Sequence, residues 1–234
     1  HFAHDLHTVG LRNEINYVFL HFPKKTVKVN FSKNFFVMSH FELDNLLASL
    51  AQSRGVEIIL NQNISSLPAG FDRIIGCDGA FSFVRKNLKL PDPKFRLAMQ
   101  GFIKEESRLD YVEAWPCEDG FIWKIPRGSE IEYGIISNVK KSKIIFDDFF
   151  KKNNLFLEKT KAKIVSQGLI IPSHPSITLC GDAAGLTKPW SGGGVVWGLI
   201  AVEILLNNFP DFLRYRKEIK RFFAPKIFLS KIVL

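Results

Sequence analysis

Leu179-Cys180-Gly181-Asp182-Ala183-Ala184-Gly185, followed by Pro189 and then by Ser191-Gly192-Gly193-Gly194, is the stretch on which the reading of this 234-residue chain turns. Ser176–Cys180 before it has strand composition, and Gly194–Asn207 after it is an apolar helix, so the stretch is a strand–turn–helix junction. A strand ending there delivers Asp182 to the crevice at the carboxyl edge of a sheet, where open α/β folds bind their ligands. A carboxylate in that position accepts hydrogen bonds from polyol or ribose hydroxyls. Pro189 fixes the turn. Three glycines at a helix start remove side chains, so backbone N–H groups can approach a flat or anionic ligand. A bare glycine triplet is as well explained by a simple turn. GDAAG, a spaced proline and the triplet together favour a ligand site.

A second segment, Asp72-Arg73-Ile74-Ile75-Gly76-Cys77-Asp78-Gly79-Ala80-Phe81-Ser82-Phe83-Val84-Arg85, repeats the strand-to-helix logic. The strand ends at Asp78-Gly79 and a helix spans about Ser82–Leu88, cut off by Pro91 and Pro93. Asp78 and Ser82 read either as caps of that helix or as ligand contacts. Arg85, one helical turn beyond Ser82, is placed to reach a phosphate near the helix start. A third segment is Gly120-Phe121-Ile122-Trp123-Lys124-Ile125-Pro126, with Gly134 after seven further residues. In a strand, Phe121, Trp123 and Ile125 share one face. That face is either core or an apolar wall for a greasy substrate.

Around these segments, Thr26–Val29 and Asn34–Met38 suggest a hairpin turning at Ser32-Lys33. The apolar spacing of Phe41, Leu43, Leu46, Leu47, Leu50 and Ala51 predicts a helix over His40–Arg54, stopped by Gly55. Val56–Leu60 reads as a short strand. Tyr111–Trp115, Phe121–Ile125 and Glu130–Ile136 predict antiparallel strands, Ile144–Lys152 a helix, and Asp211–Phe223 a last helix with Phe212, Tyr215, Ile219, Phe222 and Phe223 on one face. The expected fold class is α/β. A nucleotide-type domain (residues 1–94 and 139–223) is interrupted by an antiparallel-sheet substrate domain (95–138), and 224–234 form a C-terminal tail.

Composition supports a globular protein: 46% hydrophobic and 24% charged residues exclude a disordered or collagen-like chain. Cys77, Cys117 and Cys180 lie in no ligand spacing, which argues against a zinc finger or disulfide scaffold and fits a reducing, cytoplasmic compartment. The longest apolar run, Val195–Leu206, contains Glu203 and falls short of the ~20 residues that cross a bilayer. The net charge of +9 is concentrated at the C-terminal end, where residues 211–234 hold seven basic and two acidic side chains. Such a surface is either a solvated helix face or an attraction for anionic partners, phospholipid or phosphorylated metabolite. Nucleic acid is not favoured, because no nucleic-acid-binding motif accompanies the charge.

Taken together and in order, the three segments resemble the flavoprotein hydroxylase-like superfamily, and within it the geranylgeranyl reductase family. Gly181-Asp182-Ala183-Ala184-Gly185, Pro189 and Gly192–Gly194 match the family's flavin-binding GD motif, and Asp78–Arg85 matches its DG motif. Phe121-x-Trp123-x-Ile125-Pro126-x7-Gly134-x-Ile136 resembles the reductase pattern Y-x-W-x-F-P-x7-G-x-G, keeping Trp, Pro, the first Gly and the spacings. The resemblance extends, more weakly, from about Gly10 to Phe223. His40-Phe41-Glu42-Leu43-Asp44 stands where the family has R-x-x-F-D, so His40 replaces an arginine near the cofactor pyrophosphate. The family's opening strand, G-x-G-x-x-G turn and helix have no counterpart in these residues. The expectation is that an N-terminal ADP-binding unit is missing from this chain.

The resemblance implies a FAD-binding domain of Rossmann-like, hydroxylase type, N-terminally truncated. It also implies hydride transfer from reduced flavin to isoprenoid double bonds of a prenyl lipid or prenyl diphosphate. In that picture Asp182 holds a ribityl hydroxyl, and Gly181, Ala183, Pro189 and Gly192–Gly194 shape the flavin site. Asp78, Gly79, Ser82, Arg85 and His40 serve the pyrophosphate side. Phe121, Trp123, Pro126 and Trp190 contact substrate. No residue is marked as proton donor, and the electron donor, NADPH or ferredoxin, is left open. The basic C-terminal helix suits a peripheral membrane contact. The abundance of Lys, Ile and Phe is in keeping with an AT-rich, archaeal genome. Two other readings stand beside this one: a flavin-dependent monooxygenase or halogenase of the same superfamily, and a non-catalytic remnant.

Overall fold

A computed structural model of the protein describes residues 13–157 and 159–233. It divides into two compact units. The first takes the described residues up to Asn63, Met99–Ile135 and Ile144–Lys161; the second takes Ile64–Ala98, Ile136–Lys143 and the chain from Ala162 onward. This partition differs from the expected one of 1–94 and 139–223 against 95–138. The N-terminal strands belong with the sheet because one of them pairs with it directly. The expected first domain's residues before 13 lie outside the described residues.

In the first unit, β1 (Asn13–Phe22) and β2 (Lys25–Val37) form the antiparallel hairpin. The hairpin turns at Pro23-Lys24, not at Ser32-Lys33, since Phe22 faces Lys25. Proline has a fixed φ and no ladder donor, so it ends a strand. Ser32 and Lys33 fall instead where the register shifts between Ile15↔Phe35 and Tyr17↔Asn30. That is a bulge, which a polar pair tolerates inside a strand. α1 (His40–Ser53) forms as expected, although none of its residues is fully buried and Phe41 is 74% exposed. Residues 56–60 do not form the expected strand. Val56, Ile59 and Leu60 are exposed, and a β-forming run without a neighbour leaves its backbone to solvent.

β4 (Lys94–Ile103), β5 (Tyr111–Cys117), β6 (Gly120–Pro126), β7 (Ile131–Ser137) and β8 (Thr160–Gln167) complete a seven-stranded sheet of order β2-β1-β5-β6-β7-β4-β8. It is mixed rather than purely antiparallel: β1 runs parallel to β5, with Tyr17 opposite Tyr111 and Leu20 opposite Ala114. Such a pair needs a long crossover, here supplied by everything between Phe22 and Tyr111. α2 (Phe83–Asn87) and α3 (Ser142–Lys152) are the next helices in the chain. Phe146 and Phe150 of α3 pack on Ile122, Ile131, Tyr133 and Ile135, the first unit's core. His21 Nε2 and Lys124 Nζ both contact the Glu113 carboxylate, at 2.8 and 2.9 Å, joining β1, β5 and β6 through their side chains.

On β6, Trp123 Nε1 donates to Glu132 Oε1 (2.8 Å) and Arg127 Nε donates to Glu132 Oε2 (2.5 Å), while Arg127 Nη1 reaches the Met38 carbonyl. The Trp123 ring lies against Gly134, where any Cβ would collide with it. The seven-residue gap in the third segment is thus the length of a hairpin that brings a glycine under the indole.

In the second unit, β3 (Ile74–Gly76) and β9 (Ile177–Leu179) form a two-stranded parallel sheet. α4 (Val195–Asn208) and α5 (Phe212–Val233) pack on it. Phe212, Tyr215, Ile219 and Phe223 of α5 are buried, and the Tyr215 hydroxyl donates to the Leu179 carbonyl (3.1 Å). Phe222, expected on the same face, is 37% exposed and stands at the edge of that face, 100° round the helix from the buried Phe223, with Lys226 Nζ over its ring. α5 continues past Phe223, through Pro225, so 224–233 are helix rather than the expected tail. Among the described residues no helix is long and apolar enough to cross a membrane.

Gly134→Ala is expected to cost about 1–3 kcal/mol by overpacking against Trp123. Denaturant unfolding of the two proteins measures it, and equal midpoints would remove the packing argument.

Candidate functional site

β3 and β9 end side by side, with Gly76 opposite Leu179 and Cys180 N donating to the Gly76 carbonyl (3.0 Å). Past β9 the chain enters a short 3-10 turn, Gly181–Ala184. Ala183 and Ala184 are fully buried, leaving Asp182 as the turn's polar side chain. The chain then closes a tight loop: Gly192 N donates to the Lys188 carbonyl and Lys188 N to the Gly193 carbonyl (2.8 and 3.1 Å). At its end Gly194 caps α4 with no side-chain hydrogen bond, so the first N–H groups of a fourteen-residue helix are left to another acceptor.

The acid and the glycine trio, well apart in sequence, are neighbours here. A Cβ on Gly194 would stand 2.9 Å from Asp182 Oδ1, and one on Gly192 would run into Ile136. At Gly79 and Gly181 the situation reverses. Both have positive φ, +79° and +60°, and nothing lies within 4 Å of where a Cβ would be. A cavity of about 310 Å³ opens at these strand ends, walled by Cys77, Gly79, Lys163, Cys180, Gly181 and Asp182 among others.

The DG segment departs from expectation. Asp78 Oδ2 accepts from Val84 N (3.0 Å) and Ser82 Oγ from Arg85 N (2.9 Å), so both cap α2. Ser82 is fully buried. Arg85, expected to face a phosphate, is also fully buried: its guanidinium donates to the carbonyls of Ala183 (2.8 Å) and Ala80 (2.7 Å) and to Asp92 Oδ1 (2.9 Å). The correction has a plain cause, because a guanidinium with no solvent access must find its acceptors in the protein. Arg85 ties the DG loop to the GD turn.

Two residues that the sequence did not mark hold the glycine loop. Arg96 on β4 donates to the carbonyls of Pro189, Trp190 and Ile136 (3.3, 3.4 and 3.3 Å), and Gln167 Nε2 donates to those of Lys188 and Pro189 (3.1 Å each). Neither lies in a motif; their partners are main-chain atoms, which leave no pattern in sequence. Trp190 is half exposed and meets Trp197 edge-on at 6.5 Å.

The remaining expected residues fall in the first unit. His40 is the exposed first residue of α1. Phe121 and Trp123 are half-buried with ring centroids 5.7 Å apart, and Pro126 closes β6 in a buried position.

No protein-family model matches the chain. It is 25% identical over 255 residues to the digeranylgeranylglycerophospholipid reductase of Picrophilus torridus, a match covering 81% of this chain and 63% of that protein. It is 27% identical over 124 residues to the Methanococcus vannielii protein of the same name, covering 46% of this chain and 31% of the relative. The chain is similar to reductases of the geranylgeranyl type. It spans less than two thirds of the length of these two reductases. Among solved structures, a geranylgeranyl bacteriochlorophyll reductase-like protein of Thermoplasma acidophilum shares the fold with a TM-score of 0.76 at 19% identity, covering 95% of this chain and 71% of that one. CmlS, a flavin-dependent halogenase, matches with a TM-score of 0.64 at 16% identity over 87% of this chain and 46% of its own.

Arg85→Met is expected to lower stability by about 1–3 kcal/mol for each of the two orphaned carbonyls, read as a drop in the denaturation midpoint. A variant as stable as the parent would return Arg85 to the role of a ligand residue.

Proposed function

We propose that the chain is the greater part of a FAD-dependent reductase acting on the isoprenoid double bonds of a prenyl lipid or prenyl diphosphate. The observation that carries the reading is the contact of Asp182 with Gly194 at the bare start of α4. One acid that accepts hydroxyl hydrogen bonds and a row of N–H donors sit together, with no Cβ between them. That donor and acceptor set fits a flat ring bearing a hydroxylated chain. When bound, a reduced flavin would supply a hydride to an alkene carbon.

The chain's own contribution is positional. The Asp182 carboxylate would accept hydrogen bonds from the hydroxyls of a ribityl chain. The N–H groups at the start of α4 face negative charge favourably, because the helix dipole is positive there. Arg96 and Gln167 keep the glycine loop rigid through its carbonyls, so these donors are preorganised. Lys163 brings a cation to the cavity wall and would face a phosphate there, the part that the buried Arg85 does not play. Phe121 and Trp123 offer apolar surface to a prenyl chain. The likeness to the two digeranylgeranylglycerophospholipid reductases favours alkene reduction over the halogenase chemistry of the structural neighbours. Oxygen uptake separates the two, since a reductase saturates alkenes without incorporating oxygen.

Two measurements test the reading. Asp182→Ala is expected to weaken FAD binding at least about tenfold, the loss of one hydrogen bond to a charged group, while the unfolding midpoint changes little. Binding that is unaltered in a folded variant would count against the site. In an assay of double-bond reduction by mass spectrometry, Trp123→Ala should penalise long prenyl chains more than short ones. Equal penalties would make Trp123 a folding residue only.

A further inference from the structure

Cys77 and Cys180 are unused by the proposed chemistry, yet they stand together on the cavity wall. They directly follow the Gly76↔Leu179 pair that ends β3 and β9, and Cys180 N donates to the Gly76 carbonyl, so the parallel register carried one step on sets them opposite each other. Neighbouring strands run about 4.8 Å apart, within the roughly 4.4–6.8 Å between Cα atoms that a disulfide spans. Both thiols are free, and they are hydrogen-bonded to one another. Cys77 is exposed, and Cys180, although only 2% exposed, still lines the cavity.

We propose that Cys77 and Cys180 are a reversible dithiol–disulfide pair in the cavity wall, closed by hydrogen peroxide and reopened by a small dithiol. The assignment does not depend on the flavin reading, because it rests on strand register and on the chemistry of the two sulfurs. The pair shares its protons unequally. The hydrogen bond from Cys77 pulls the Cys180 thiol down to about 7 against the opposing effect of burial, helped by the Tyr215 hydroxyl and the Gly181 backbone N–H. That hydrogen bond, burial and the negative charges of Cys180 and Asp78 push Cys77 up. The thiolate is therefore favoured on Cys180 and the proton on Cys77. A thiolate is the reactive form of a cysteine.

The thiolate sulfur attacks one peroxide oxygen. The O–O bond breaks, and the departing hydroxide takes a proton to become water, leaving a sulfenic acid. The second sulfur then attacks the sulfenic sulfur; the S–S bond forms, the S–O bond breaks, and a second water leaves. Two thiols lose two electrons and one peroxide gains them. A small dithiol reverses the change by two thiol–disulfide exchanges and is itself oxidised to a disulfide.

The test uses the chain with Cys117→Ser, so that Cys77 and Cys180 are its only thiols. Hydrogen peroxide should lower the intact mass by two hydrogens, protect both cysteines from alkylation, and give a peptide joining 77 to 180; dithiothreitol should restore the starting mass. Before oxidation, the alkylation rate of Cys180 should rise with a midpoint near pH 7, and Cys77→Ala, which removes the donor, should move that midpoint upward and abolish the two-hydrogen loss. Gain of oxygen without a cross-link, or a disulfide between two chains, overturns the pairing. A Cys180 midpoint unmoved by Cys77→Ala overturns the coupling between the thiols.

Discussion

The guanidinium of Arg85 lies out of solvent with three acceptors around it: the carbonyls of Ala80 and Ala183 and the carboxylate of Asp92. Ala80 belongs to the loop after β3, and Ala183 to the turn after β9. One side chain therefore joins the two places where the parallel strands release the chain. A buried guanidinium tolerates little displacement of its acceptors, since each lost partner leaves a desolvated polar group. The cavity beside Cys77, Gly79, Gly181 and Asp182 keeps its shape because the loops that bound it are held to this cation.

From that tie the rest of the second unit follows. With the turn after β9 fixed, Ser166 Oγ donates to the Asp182 carbonyl (2.6 Å) and Thr187 Oγ1 to the Ser166 carbonyl (2.6 Å), locking β8 to the same turn. Arg96 and Gln167 then anchor the glycine loop, and α4 starts where the loop ends. Below, Leu179, Tyr215, Ile219 and Phe223 give the two-stranded sheet an apolar base that two strands could not supply alone. The same economy of means recurs in the first unit. There Glu132, almost fully buried, satisfies both the Trp123 indole and Arg127, so an aromatic side chain on a sheet is held by charge as well as by packing.

The order of strands and helices along much of the chain was legible in sequence, because hydrophobic period and turn residues are local signals. The helix over His40–Ser53, the strands of the middle region and the strand–turn–helix at 176–208 all follow from such patterns. The failures were also physical. Ser32-Lys33 looked like a turn because polar pairs interrupt β-formers at turns and at bulges alike. Val56–Leu60 looked like a strand because composition does not reveal whether a neighbour exists. The parallel pairing of β1 with β5 is a long-range choice that no window of sequence contains.

For the candidate site, the residue types alone singled out Asp182 and the glycines, since an acid next to side-chain-free backbone offers both acceptor and donors to a ligand. Which side chains line the cavity and which brace it was decided by folding. Arg85 carries the same charge wherever it points, and only burial turned it from a phosphate contact into a strut; Arg96 and Gln167 act on main-chain carbonyls, which every residue possesses and none advertises. Cys77 and Cys180 are separate letters in the sequence, and the parallel register of two short strands makes them a pair. Sequence determined what chemistry was present. Tertiary structure determined who meets whom, because contact depends on strand pairing and burial across distant segments rather than on any local spacing.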